Sequence, residues 1–166
     1  MPETLRHLVS RLDAAIAAPP EELSAAVTAA LGAAVATRDW LPPEQQRTDR
    51  QHYARHVLYA DPQDRYTVVA IAWDRSQQSS IHAHRTWCGV AVYSGEITET
   101  YYAIDDGSGT PQALRTVRRN PGTLSFDQGG AGAHRIANIA DVAAVSIHVY
   151  GVGAARIATD VNRVLG

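Results

Sequence analysis

Near residue 50 the hydrophobic period of this chain switches from that of helices to that of strands, and the switch limits the folds open to it. Before it, Leu5, Leu8, Val9, Leu12 and Ile16 recur at helical spacing, which predicts an amphipathic helix over residues 3–18. Pro19-Pro20 ends that helix. A second is expected over 20–36, with Pro20 in its first turn and Glu21 and Glu22 against the positive end of its dipole. Leu23, Val27 and Leu31 mark its apolar stripe in an alanine-rich background. The segment 38–50, RDWLPPEQQRTDR, breaks the period and reads as a linker. Beyond it, strands are expected near 52–59, 65–73, 80–84, 87–94, 96–104, 112–118, 122–126, 133–138 and 143–150. Turn chemistry separates them at Asp61-Pro62, Ser94-Gly95, Asp105-Asp106-Gly107, Pro121-Gly122 and the Gly129–Gly132 cluster. Many short strands at regular spacing suggest a sandwich or barrel. Residues 155–165 read as a short helix or a tail. The expected architecture is mainly β: one domain over 1–166, with a helical segment at 1–37 and a barrel over 50–152.

A net charge of −2, with histidine counted neutral, gives no electrostatic case for nucleic acid or an anionic membrane. No stretch is long and apolar enough to cross a bilayer. The opening residues, MPETLRHLVSRLDAAIAAPP, carry acids and lack the apolar core of a signal peptide. Cys88 is the single cysteine, so no intrachain disulfide forms, and the expected compartment is the cytoplasm. Oligomeric state is left open.

Among seven histidines, His82 and His84 stand out in the run 81–95, IHAHRTWCGVAVYSG. A strand puts residues i and i+2 on one face, so both imidazoles point the same way, as two ligands of one ion require. The pair alone also suits two structural histidines. The wider spacing runs H-x-H, three residues, Cys88, six residues, Gly95. It resembles the first motif of the cupin β-barrels, with Cys88 where Glu is usual. His134 followed by Asn138 resembles the second, H-x-x-x-N. The glycine before the first motif is absent, with Ser76 near its place, as is the proline of the second. This resemblance supplies His134 as a third ligand beside His82 and His84. Three neutral imidazoles leave the charge of a divalent ion unbalanced, where the common non-haem iron arrangement carries a carboxylate. An anionic substrate then supplies the missing charge, and a thiolate does so well because a bound cation lowers a thiol's pKa. Zinc accepts three histidines as readily, so the ligand set does not name the metal.

The run 143–151, AAVSIHVYG, puts Val145, Ile147 and Val149 on one face and Ser146, His148 and Tyr150 on the other. On its own this is an amphipathic strand with its polar face in water. The same alternation permits a hydrogen-bonded relay, the serine orienting the imidazole and the imidazole the phenol.

Taken in order, Tyr53-Ala54-Arg55, the H-x-H pair, HRIAN at 134–138 and S-x-H-x-Y at 146–150 resemble the cysteine dioxygenase family of thiol dioxygenases. The resemblance implies a cupin-type β-barrel or sandwich preceded by two N-terminal helices. It implies Fe(II) held by His82, His84 and His134, and a catalytic relay of Ser146, His148 and Tyr150. Arg55, with Tyr53, would hold the substrate carboxylate, a guanidinium matching it with two parallel hydrogen bonds. The implied reaction adds both atoms of O2 to the sulfur of L-cysteine, or a related small thiol such as 3-mercaptopropionate, giving a sulfinic acid. In animal members a cysteine near the position of Cys88 forms a thioether with the relay tyrosine. Positions 82, 84, 86 and 88 share a face if no bulge intervenes, which makes Cys88 and Tyr150 a candidate cross-link. Ala83 stands where Asp is usual and should point away from the metal, and Arg85 stands where Thr or Gly is usual. Trp87 resembles the bacterial branch, some members of which prefer 3-mercaptopropionate. Those commonly carry Gln where Arg55 stands, so Arg55 tilts the choice towards cysteine. His7, His52 and His56 receive no role, His56 lying on the strand face opposite Arg55. The three-histidine site alone also fits another cupin enzyme, such as an isomerase or ring-cleaving dioxygenase, or a non-catalytic metal-binding barrel.

Overall fold

The computed structural model describes residues 1–103, 111–130 and 132–165. The turn expected at Asp105-Asp106-Gly107 lies outside them. Both N-terminal helices form, α1 over Glu3–Ala17 and α2 over Leu23–Ala36, with a short 3-10 turn at Pro20–Glu22 between them. Their apolar stripes, Leu5, Leu8 and Leu12 on α1 and Val27 and Leu31 on α2, are buried in one core. Neither helix is long and apolar enough to cross a membrane.

Strands follow at Ala54–Ala60 (β1), Thr67–Trp73 (β2), His82–His84 (β3), Cys88–Ser94 (β4) and Ile97–Ala103 (β5). They continue at Gln112–Arg119 (β6), Leu124–Asp127 (β7), Ala133–Ala137 (β8) and Ala144–Tyr150 (β9). A short helix, α3 (Ile157–Asp160), leads into β10 (Asn162–Val164). The strands form two five-stranded sheets, ordered β1-β2-β9-β4-β7 and β10-β3-β8-β5-β6, with antiparallel pairing throughout.

The period of two gives the first sheet two different buried surfaces. Val68, Ala70 and Ala72 of β2 and Val145, Ile147 and Val149 of β9 pack with α1 and α2 in one core. Val69, Ile71 and Trp73 of β2, with Cys88, Val90 and Val92 of β4, belong to a second core between the sheets. Gly89 lets α2 approach this sheet: a Cβ there would lie 2.7 Å from Val27 Cγ1. All seven residues of β9 are buried. The polar side, which alternation alone would leave in water and the relay reading turns inward, is an interior side, because the helices cover the apolar face and the second sheet covers the other.

Two further departures matter for the site. Residues 155–165, expected as a short helix or tail, supply both α3 and the edge strand β10, which pairs with β3 through Asn162–His84 and Val164–His82. Three residues are too few for a readable period, and only the pairing makes them a strand. The run from His82 to Cys88 is not one strand either. It breaks at 85–87, and β3 and β4 lie in different sheets. The parity argument that aligned Cys88 with His82 and His84 therefore fails.

Candidate active site

The strands β3 and β8 bring three imidazoles together between the sheets. His82 is the direct cross-strand partner of His134, and His84 follows two residues along β3. All three are buried, and their ligand atoms lie within 4.8 Å of one another. Ring centroids are 4.6 Å apart for His82 and His134, 4.8 Å for His84 and His134, and 5.2 Å for His82 and His84. Ala83, between the two histidines of β3, is buried and falls on the opposite strand face by alternation.

Each ring is held by a different oxygen. His82 Nδ1 donates to the Ser80 carbonyl at 2.9 Å, His84 Nδ1 to Asp127 Oδ2 at 3.0 Å, and His134 Nδ1 to Glu99 Oε1 at 2.7 Å. A ring whose Nδ1 carries the hydrogen presents a bare lone pair at Nε2. The Nε2 atoms of His82 and His134 nonetheless face each other at 3.2 Å. Two lone pairs at that separation repel unless a cation lies between them, and ligand atoms on one ion with bonds of about 2.1 Å are spaced about 3.0–3.4 Å apart. The donor set thus fits a divalent metal. Burial, then the neighbouring His134, pushes His82 down to about 4, so its ring is neutral and ligand-competent at ordinary pH.

Neither carboxylate was singled out from the sequence. Burial would raise Glu99, but hydrogen bonds from His134, Tyr101 and Arg119 outweigh it and hold the carboxyl at about 2. Arg119 reaches Glu99 Oε2 through two nitrogens, at 3.0 and 2.7 Å. Asp127 is lowered chiefly by its hydrogen bond with His84, against the opposing effect of burial. Two carboxylates therefore stand behind the imidazoles, and because Arg119 already pairs with Glu99, Asp127 is the one whose charge adds to that of an anionic substrate in balancing a bound ion. The readable signal was one of absence: with Cys88 where a cupin Glu is usual, a carboxylate had to be sought on neighbouring strands.

The polar face of β9 carries a hydrogen-bonded chain. Trp73 Nε1 donates to Ser146 Oγ at 2.9 Å, Ser146 Oγ lies 2.8 Å from His148 Nε2, and His148 Nδ1 lies 3.2 Å from Tyr150 Oη. Indole is a donor only, so Ser146 accepts from Trp73, and its buried hydroxyl hydrogen is satisfied among the described residues by His148 Nε2. The imidazole then carries its hydrogen on Nδ1 and donates to the phenol oxygen. The phenol hydrogen is left to point away from the chain. Burial pushes His148 down to about 3 and Tyr150 well above an ordinary phenol, so neither ionises near neutral pH. Trp73, which starts the chain, was not among the residues picked out by sequence.

Arg55 and Tyr53 stand at the rim. Arg55 is exposed, and its Nη2 donates to the Tyr53 hydroxyl at 2.8 Å. Tyr53 lies against Trp73 with ring centroids 4.6 Å apart. A recess of about 20 Å³ joins Arg55, Tyr53, the three histidines and Tyr150, while a cavity of about 360 Å³ lies towards β7, lined by His84, His134, Cys88 and Phe126. Cys88 is paired directly with Tyr150 across β4 and β9, a contact that arises from sheet register and not from the parity first used. Burial pushes its thiol well up. Other residues fall away from the site. His56 Nε2 bonds the Arg47 carbonyl, His7 and His52 pair with Glu3 and Asp49, and Trp87 stacks on Phe126 in the helix-side core. Arg85 is exposed. Asn138, the end of the HRIAN run, is fully buried. Its Nδ2 donates to the carbonyls of Trp73 and Val142, and its Oδ1 accepts from Ala140 N.

Two antiparallel sheets closed around inward-facing imidazoles define a cupin-type barrel, and solved structures agree at the level of fold. A conserved protein with a double-stranded β-helix domain from Klebsiella pneumoniae subsp. pneumoniae is 17% identical, with a TM-score of 0.54 over 78% of this chain and 98% of that one. A cupin superfamily protein from Desulfitobacterium hafniense is 13% identical, with a TM-score of 0.50 over 70% of this chain and 93% of the other. The model of the family described as cysteine dioxygenase type I matches residues 21–158, and the chain belongs to that family. Helix α1 and strand β10 lie outside the matched span.

Proposed function

We propose that the chain is an Fe(II)-dependent thiol dioxygenase that converts L-cysteine, or a closely related small thiol carboxylate, to its sulfinic acid with O2. His82, His84 and His134 would hold the metal through Nε2. Bound Fe(II) supplies the redox coupling that lets dioxygen react with a thiolate sulfur. The residues of this chain do the rest. Arg55, at the rim, exchanges its bond with the Tyr53 hydroxyl for the substrate carboxylate and fixes the thiol end towards the histidines. The recess has little free volume, and exposed Arg55 is the wall that gives. The relay from Trp73 through Ser146 and His148 aims the Tyr150 hydroxyl as a donor into the same recess. Asp127 and Glu99 fix the tautomers of His84 and His134. Cys88, directly opposite Tyr150, is in the register that a thioether between them needs. A small soluble substrate of this kind suits a cytoplasmic enzyme.

The observation that carries this reading is the meeting of three converging Nε2 atoms, a phenol donor and a guanidinium at one recess in a member of the cysteine dioxygenase family. The test is metal analysis followed by oxygen uptake with cysteine, 3-mercaptopropionate and cysteamine. Uptake matched one-for-one to sulfinate supports it. Fully iron-loaded protein that turns over no small thiol removes it, and tight zinc with no oxygen consumption favours a non-catalytic barrel.

A further inference from the structure

Strand β10 contributes one residue to the recess. Asn162 is paired directly with His84, and directly opposed residues of an antiparallel ladder project to the same side. Its side chain therefore lies beside the histidines and Arg55. Its Oδ1 is buried and finds no hydrogen-bond donor among the described residues. Arg55, His82, His84 and Tyr150 each hold one partner, Tyr53, Ser80, Asp127 and His148 in turn, which leaves the histidine Nε2 atoms and the Tyr150 hydroxyl hydrogen to the recess. A buried carbonyl oxygen without a donor is uncommon, because desolvation is not offset by a bond. The family match ends at residue 158, before this strand.

Building on the dioxygenase reading, we propose that Asn162 determines specificity by accepting a hydrogen bond from the amino group of an amino-thiol substrate. In this arrangement the carboxylate lies on Arg55, the sulfur towards the histidines and the amino group against the β10 wall, all of which line one recess. In the orientation seen, the amide oxygen is the buried atom and accepts only, so an N–H satisfies it directly, whereas a carboxylate or thiolate has to turn the amide over to reach Nδ2. The site then favours a 2-amino-3-thiol acid over 3-mercaptopropionate, which has no amine.

The test uses iron-loaded protein without oxygen, with calorimetric dissociation constants for cysteine and 3-mercaptopropionate and, in parallel, kcat/KM under oxygen. Asn162→Leu keeps the volume and removes the acceptor. It is expected to weaken cysteine about tenfold and leave 3-mercaptopropionate within about twofold. Equal weakening of both thiols, or no change in either, overturns the proposal. Asn162→Asp keeps an acceptor in the same shape and decides the matter if the leucine variant does not fold. A cysteine-to-mercaptopropionate affinity ratio at or above that of the unaltered protein supports the role, and a lowered ratio overturns it. Unaltered protein that binds neither thiol overturns the dioxygenase reading itself, and this inference with it.

Discussion

The interior of the barrel and its β1 rim are built differently. Inside, His82, His84, His134, Ser146 and His148 are each less than a tenth exposed. Each ring is tied by a hydrogen bond on the side away from its partners. At the rim, Arg55 is exposed, sits on the edge strand of its sheet, and is held by a hydrogen bond to a neighbour two residues away. A register shift between Val57 and Tyr59 interrupts the pairing of the same strand. The interior has its orientation settled before anything binds, whereas the rim can follow the shape of what enters. On the proposed reading, the chemistry belongs to the first region and the grip on the substrate carboxylate to the second.

The sharpest way to break that division is to cut into the interior. His134→Ala should abolish metal binding and turnover together, as measured by metal content and oxygen uptake; stoichiometric iron retained in the variant would contradict the ligand assignment. At the rim, Arg55→Ala should lower kcat/KM for carboxylate-bearing thiols by roughly 30–100-fold through loss of a charge-assisted pair. Cysteamine, which has no carboxylate, should change little, and an equal loss for both would mean that Arg55 does not read the carboxylate. Glu99→Gln weakens the anchor behind His134 and should reduce metal affinity about 10–100-fold in a chelator competition. Unchanged affinity would assign Glu99 to packing alone. Trp73→Phe removes the first donor of the relay, and kcat should fall roughly 3–10-fold with little change in KM. A change confined to KM would instead implicate the contact of Trp73 with Tyr53.

The last expected effect concerns pH and is read on stability instead of activity. Burial lowers His148 from 6.5 to about 3, so the folded chain refuses a proton that the unfolded chain accepts between those values. The stability of the metal-free protein is then fully present above about pH 6.5 and declines as the pH drops towards about 3. Denaturant melts at about pH 7 and about pH 5 should show the decline, and His148→Gln should reduce it. An undiminished decline would assign the pH response to other groups.

Much of this was legible in the sequence. The stripe Leu5, Leu8, Leu12 announced α1, and the alternation in AAVSIHVYG announced β9, because both signals lie within one element. The convergence of His82, His84 and His134 needed the motif spacing as well. Glu99 was not legible: nothing in ITETYY sets it apart, and only the register of β5 on β8 brings it to His134. Asp127 reaches His84 from β7 of the facing sheet, and Asn162 enters the recess on a strand too short to show a period. The contact of Cys88 with Tyr150 was anticipated on mistaken grounds, since β3 and β4 turned out to belong to different sheets.

The burial of β9 on both faces carries a consequence for how faithfully the molecule assembles. A slip of one residue against β2 or β4 would turn Val145, Ile147 and Val149 onto the histidines and drive Ser146, His148 and Tyr150 into the grease beneath α1 and α2. In a half-wetted strand the same slip would carry the apolar set into water instead of onto a second packed face. Here both sides object, so mispairing is penalised twice over, and the ordering of the relay is guarded by the same valines and isoleucine that fasten the helices down.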